Sequence, residues 1–248
     1  TVDLAIANNV LAHVPNINDF VKGFYEILNP EGVATFENPH LLELANGKQF
    51  DTIYHEHFSY LSLTSVNEIF KNNGLTIFDV EKIPVHGGSL RYYAQKSDTG
   101  RRFISKKVNA LLKEERDAGL TNLDFYRNFQ KVAESIRDEF KNFLIEQKNN
   151  GKLIAGYGAA AKGNTLLNFC NISKALLQFI VDKNPMKQGL YCPGSKIPIL
   201  DEKKIREEKP DFIVIFPWNI KDEIIDQLKF TKKWGCKFVV AIPSLSII

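Results

Sequence analysis

The feature that most constrains this chain is a glycine-rich turn, Gly156-Tyr157-Gly158-Ala159-Ala160-Ala161-Lys162-Gly163-Asn164-Thr165, set between an apolar run and an amphipathic one. Lys152 to Tyr157 reads as a strand and Lys162 to Phe169 as a helix. Glycine at such a junction lets backbone approach a ligand, and the helix start offers free N–H groups and partial positive charge to phosphate. The spacing fits G-x-G-x-x-A in its strand-to-helix context. A tight turn without any ligand uses glycine as well, so both readings stand. Lys162 adds a full charge suited to a diphosphate. Asp182 ends the next strand, Leu177 to Val181, where an acidic residue would meet ribose hydroxyls. Strands at Asp211 to Pro217 and Lys237 to Ile242, with a helix at Asp222 to Phe230, predict a small parallel sheet with helices on its faces.

The front of the chain carries a second α/β pattern. Val2 to Ala7 reads as a fully buried parallel strand ending at Asn8-Asn9. A helix capped by Asp19 follows, with Phe20, Val21, Phe24, Ile27 and Leu28 at helical spacing, until Asn29-Pro30-Glu31-Gly32 stops it. Gly32 to Glu37 is the next strand, which implies a parallel right-handed unit. Thr64 begins a helix with Val66, Ile69 and Phe70, closed by Asn73-Gly74. Leu75 to Val85 and Leu90 to Gln95 form a hairpin across His86-Gly87-Gly88-Ser89, whose paired glycines permit positive φ. From Lys106 to Asn149 the pattern is helical, and Phe125, Phe129, Val132, Ile136, Phe140 and Phe143 form a packing stripe. The expected fold class is therefore α/β: half of a Rossmann-like sheet in residues 1–100, a helical connector in 101–150, and a second small Rossmann-like parallel α/β domain in 151–248. Since Thr1 is not a methionine and a strand starts at once, the chain is expected to begin inside a sheet. Apolar edge surface is then expected at Val2 to Ala7.

Composition narrows the function classes. The 248 residues are 44% hydrophobic and 25% charged, as in ordinary globular proteins. Lys and Arg total 32 against 29 Asp and Glu, and the basic residues are scattered, which argues against nucleic acid as a partner. No apolar run approaches the roughly 18–20 residues that cross a bilayer, and no basic-then-apolar leader opens the chain; a cytoplasmic protein without a membrane partner is expected. Cys170, Cys192 and Cys236 are far apart and form no C-x-x-C pair, so reduced structural thiols are expected, with neither disulfides nor a metal site.

Reactive side chains are densest in Asp51 to Ser62, DTIYHEHFSYLS, which holds Tyr54, His55, Glu56, His57, Ser59 and Tyr60. An imidazole there can remove a proton near neutral pH, with Glu56 orienting the ring or raising its basicity. Plain hydrogen-bonded structure and metal binding are the rivals, and the metal reading lacks a third local ligand. His86-Gly87-Gly88-Ser89-Leu90-Arg91 sits at the carboxyl end of a parallel strand, where open α/β sheets bind ligands, although a tight turn needs its glycines anyway. Asn8-Asn9-Val10-Leu11-Ala12-His13-Val14 leaves the first strand at that same edge.

Together NNVLAHV, YHEHFSYLS, HGGSLR and GYGAAAKGNTLLN, in this order, resemble the nucleotide-sugar C-methyltransferases. The resemblance implies the carboxyl half of a class I methyltransferase domain, followed by a Rossmann-like domain that helps hold the sugar nucleotide. It also implies that a zinc-binding module and the earlier strands, with their S-adenosylmethionine-gripping loop, stand ahead of Thr1. By the same resemblance Asn9 and His13 lie near the methionine end of S-adenosylmethionine. Tyr54, Glu56 and His57 shape the catalytic site, with His57 as base. The substrate, a keto-deoxysugar linked to a nucleoside diphosphate, is expected at His86, Gly87, Gly88, Ser89 and Arg91. It is also expected at Gly156, Gly158, Ala159, Lys162, Gly163, Asn164, Thr165 and Asp182. No metal is implied in the reaction. Two other readings stay open: a nicotinamide-dependent sugar-nucleotide oxidoreductase using the glycine turn and Asp182, and a non-catalytic sugar-nucleotide-binding module. Oligomeric state is not legible.

Overall fold

The computed structural model describes every residue from Thr1 to Ile248. Contacts divide the chain into two units, Thr1–Gly47 with His55–Phe129, and Lys48–Tyr54 with Gln130–Ile248. Residues 101–150 are thus shared between them.

In the first unit, β1 (Val2–Asn8), α1 (Ile17–Ile27), β2 (Leu28–Pro39) and α2 (Leu41–Asn46) precede α3 (Leu63–Asn72), β3 (Leu75–Ile83) and β4 (Ser89–Lys96). The sheet order is β1-β2-β4-β3. β1 pairs parallel with β2, while β4 runs antiparallel to both its neighbours. The carboxyl ends of β1, β2 and β3 therefore share one edge with the start of β4, so NNVLAHV and HGGSLR meet at that edge as expected.

Several boundaries correct the sequence reading. β1 is an edge strand and not fully buried: Ala5 and Ala7 face the core, while Leu4 and Ile6 are 55% and 62% exposed on the other face. The cap of α1 is Asn16, whose side chain accepts from Asp19 N at 3.1 Å; Asp19 already lies in the first turn. Asn29-Pro30-Glu31-Gly32 does not separate helix from strand. Val2 pairs with Leu28 and Leu4 with Val33, so those four residues are absorbed in an irregularity of a strand that has already begun. α3 begins at Leu63, one residue ahead of Thr64, and Ser62 caps it in a reciprocal box with Ser65. The helix α2 left no clear periodic signal in six residues. The core packs Phe24, Phe36, Phe70 and Tyr92 in a chain of tilted rings, with centroids 4.6, 4.7 and 6.3 Å apart in turn.

The expected long helical stretch is three helices, α4 (Lys106–Asp117), α5 (Leu123–Arg127) and α6 (Phe129–Asn149), broken where Gly119 takes φ +87°. The first two belong to the first unit and nearly all of α6 to the second. Only the later part of the aromatic stripe is core: Ala133, Ile136, Phe140, Phe143 and Leu144 are buried, whereas Phe125, Phe129 and Val132 are half-buried.

The second unit continues with β5 (Ile154–Tyr157), α7 (Ala161–Phe169), β6 (Phe179–Val181), β7 (Ile199–Leu200), α8 (Lys203–Glu208), β8 (Phe212–Ile215), α9 (Lys221–Gln227), β9 (Lys237–Val240) and β10 (Ser246–Ile247). Its sheet order is β10-β9-β8-β5-β6-β7, parallel except for β10 at one edge. Numbered within the unit this is 6-5-4-1-2-3, the dinucleotide-fold order, with the reversal between β5 and β8. The short elements β7, α8 and β10 carried too few residues to show a period in the sequence.

Two glycines of the turn are required by packing. A Cβ on Gly156 would lie 2.7 Å from Ile180 Cγ1 and from Phe216 Cε2, and one on Gly163 would lie 2.9 Å from Phe216 Cγ. Ile180 and Phe216 are themselves almost wholly buried and have no room to yield. Gly156→Ala is therefore expected to destabilise the second unit by about 1–3 kcal/mol, through overpacking. Denaturant unfolding followed by Trp218 and Trp234 fluorescence measures it, and an unchanged midpoint would contradict this packing.

Candidate active site

In the first unit the carboxyl edge gathers imidazoles. Asn9 follows β1 at φ +55°, with its N–H donating to Glu37 O at 2.7 Å, and this left-handed step leads into the turn Leu11–His13. His13 meets His57 edge to face with ring centroids 4.8 Å apart, and His57 meets Tyr60 in the same way at 5.8 Å. The segment carrying His57 is an irregular loop. Its course is set by backbone bonds: Phe58 N and Ser59 N donate to Ala12 O at 2.8 and 3.3 Å, and Leu41 N donates to Leu61 O at 2.9 Å. His57 is half-buried and Glu56 exposed.

The turn His86–Gly88 lies at the same edge, with φ of +56°, +85° and +112° in sequence. Gly88 is there for steric reasons: a Cβ would come within 2.7 Å of Glu43, and its carbonyl accepts from His40 N at 3.0 Å. Ser89 is buried with its hydroxyl donating to Val85 O. Arg91 gives a two-pronged bond to the buried carboxylate of Glu37, at 2.7 and 3.2 Å, so its charge is already matched within the sheet.

In the second unit the glycine turn stands at the reversal between β5 and β8. Gly158 takes φ +87°, and a Cβ on it would strike Pro217 Cγ at 2.6 Å. The start of α7 has no side-chain cap at Ala160. Asp182 is used within the unit: its carboxylate accepts from Ala159 N at 2.8 Å, Asn184 N at 2.8 Å and Lys187 Nζ at 3.2 Å. Thr165 bonds back to Ala161 O, and Asn164 Oδ1 is buried without a hydrogen-bond partner.

Lys162 does not stand free. Its Nζ donates to Asn219 Oδ1 at 2.9 Å and lies 4.3 Å from the centre of the Trp218 ring. Trp218 Nε1 in turn donates to Asp51 Oδ2 at 2.8 Å, and Asp51 is buried with Oδ1 unpartnered. Burial pushes the Asp51 carboxyl up to about 6, with the Trp218 indole and the Lys162 charge opposing. Burial lowers Lys162, and Asp51 pushes it back up. Tyr54 is counted with this unit and His57 with the first. Asp51 was legible only as part of a dense segment, and Trp218, Asn219, His40 and Glu115 had no motif around them. All three cysteines are free and buried. No three His, Cys, Asp or Glu residues are grouped so as to hold a metal ion, and no helix is long and apolar enough to cross a membrane.

Asp51 holds its proton more tightly folded than unfolded, so the stability it lends is complete below its unfolded value of 3.8 and is lost as pH rises through about 6. Asp51→Asn keeps an acceptor for Trp218 without the buried charge. Relative to the parent, it is expected to gain roughly 1–3 kcal/mol above pH 7 and little at pH 4. Unfolding curves at both pH values test this, and a difference independent of pH would refute it.

Residues 84–243 match the family described as C-methyltransferase C-terminal domain, and residues 1–80 match that described as methyltransferase domain. C-methyltransferase NovU of Streptomyces niveus is 36% identical over 245 residues, 99% of this chain and 58% of that protein, so the chain spans little more than half the length of this relative. Among solved structures, Burkholderia thailandensis 1,6-didemethyltoxoflavin-N1-methyltransferase with bound 1,6-didemethyltoxoflavin and S-adenosylhomocysteine is 18% identical. It covers 39% of this chain and 44% of its own, at a TM-score of 0.31, an overlap too slight to bear on fold or function. The match over residues 84–243, more than half of the chain, shows the family: the chain belongs to the C-methyltransferases.

Proposed function

We propose that the protein transfers a methyl group from S-adenosylmethionine to a carbon beside the ketone of a keto-deoxysugar linked to a nucleoside diphosphate. The observation that carries this reading is His57 held against His13 at the carboxyl edge of β1 and β2, where open α/β sheets take their ligands. The donors at that edge suit the amino-acid end of S-adenosylmethionine: Asn9 is exposed, and His13 is half-buried beside it. When bound, S-adenosylmethionine supplies a methyl carbon made electrophilic by a sulfonium.

The chain's own part is proton handling and positioning. His57 accepts the proton from the carbon beside the ketone, and the electron pair of that C–H bond becomes the enolate. Glu56, in the same loop, supports the charge gained by His57. The enolate carbon supplies both electrons of the new C–C bond to the sulfonium methyl, and the C–S pair would stay on sulfur as a neutral thioether. Within the second unit, the start of α7 and Lys162 suit a diphosphate, with Asn219 and Trp218 holding the ammonium in place. His86, Gly87 and Gly88 border the sugar. Asp182 keeps the glycine turn closed through Ala159 N, a use that leaves it less available to the ribose of a nicotinamide dinucleotide.

Calorimetric titration of the full-length protein with S-adenosylmethionine, NAD and a deoxythymidine-diphosphate keto-sugar tests this. Binding of the first and third without NAD is expected; binding of NAD alone overturns the reading. His57→Ala is expected to slow solvent exchange of the proton beside the ketone by about 10²–10⁴-fold. Unchanged exchange would move the base elsewhere.

A further inference from the structure

The groups that fix the His57 loop converge on a carboxylate from a distant helix. Glu115, in α4, is wholly buried. It accepts from Leu63 N at 2.6 Å, Thr64 N at 2.7 Å, Thr64 Oγ1 at 2.6 Å and His40 Nε2 at 2.8 Å. Leu63 and Thr64 are the first two residues of α3, and Ser65 N is met by Ser62 Oγ, so the entire first turn of that helix is satisfied. A negative charge at a helix N-terminus is favourable in its own right. Burial acts to raise the Glu115 carboxyl, but the bonds from His40, Thr64 and Leu63 outweigh it and hold the group below the ordinary range.

The other end of this network reaches both loops of the edge. His40 N donates to Gly88 O of the His86–Gly88 turn, and His40 bridges to Leu61 of the His57 loop. One side chain thus ties α4, the start of α3 and the end of β2. From there the chain runs back through Leu61 to Ser59 and Phe58, which are fixed on Ala12 beside His13. The loop is clamped on both flanks of Tyr60, with His57 just ahead of the first clamp.

We infer that Glu115, through Thr64 and His40, is a positioning residue for the His57 loop, so that catalysis depends on a carboxylate touching neither sugar nor methyl donor. The inference rests on the proposed role of His57. Thr64→Val removes one donor to Glu115 and keeps the side-chain shape, while Thr64→Ser keeps the hydroxyl.

In the full-length protein Thr64→Val is expected to melt as a folded protein and to lower both kcat and proton exchange beside the ketone about ten-fold or more, because small misplacements of a reacting group carry large rate costs. KM is expected to stay within about two-fold, since substrate contacts are untouched. Thr64→Ser restores the rate. Nitrogen-15 spectra of the His57 ring give a readout that needs no turnover: its resonances shift or broaden in Thr64→Val and return in Thr64→Ser. A folded Thr64→Val with parental exchange and an unmoved His57 signal overturns the inference. Parental protein without any proton exchange overturns the functional reading instead, and the ring spectra then decide the positioning role by themselves.

Discussion

The first unit is organised around a buried carboxylate that would be ruinous if left alone. An unpaired charge at zero exposure costs several kcal/mol, and Glu115 escapes that cost because four donors converge on it. The four donors come from three structural needs. Two are backbone N–H groups that α3 cannot satisfy within itself, one is a hydroxyl, and one is an imidazole at the end of β2. Satisfying the helix start therefore fixes, in the same step, where the preceding loop begins its turn across the sheet edge.

The second unit solves a similar problem with Asp182. The sharp turn after β5 leaves Ala159 N without a helical partner, and the carboxylate ending the neighbouring strand accepts from it while Lys187 balances the charge. Glycine at 156 and 163 lets Phe216 lie against the strand and the helix that follows, and glycine at 158 supplies the left-handed step. Ligand approach and internal packing thus make the same demand on this turn, which is why the motif reads so clearly and yet does not by itself prove a ligand.

The two-part α/β organisation was legible because the long periodic segments, α1, α3, β2 and the β5 to α7 junction, carry strong local patterns. Boundaries failed where tertiary pairing overrode local signals. Pro30 and Gly32 read as a stop, but the strand had already paired at Leu28. Asp19 reads as the cap of α1 because it sits closer to the apolar run, whereas Asn16 holds that place. Among the candidate residues, His57 and the glycine turn stand out by composition, whereas the contact of His13 with His57 joins segments far apart in the chain and leaves no local signal. Asp51, Trp218, His40 and Glu115 could not be paired from sequence, since 167 and 75 residues separate the partners. Lys162 and Arg91 stand in the sequence as substrate-binding residues, and each has a partner within its own unit that no local pattern announces.

The excursion of Lys48–Tyr54 into the second unit means that the backbone passes between the units three times, after Gly47, after Tyr54 and after Phe129. Cleaving or splitting the gene at the last of these would not yield two self-sufficient pieces. The C-terminal fragment would forfeit the carboxylate of Asp51 that accepts a hydrogen bond from the Trp218 indole, and the N-terminal fragment would keep seven residues with nowhere to fold. Modular swaps among such proteins would need to carry that short ribbon along with the downstream half.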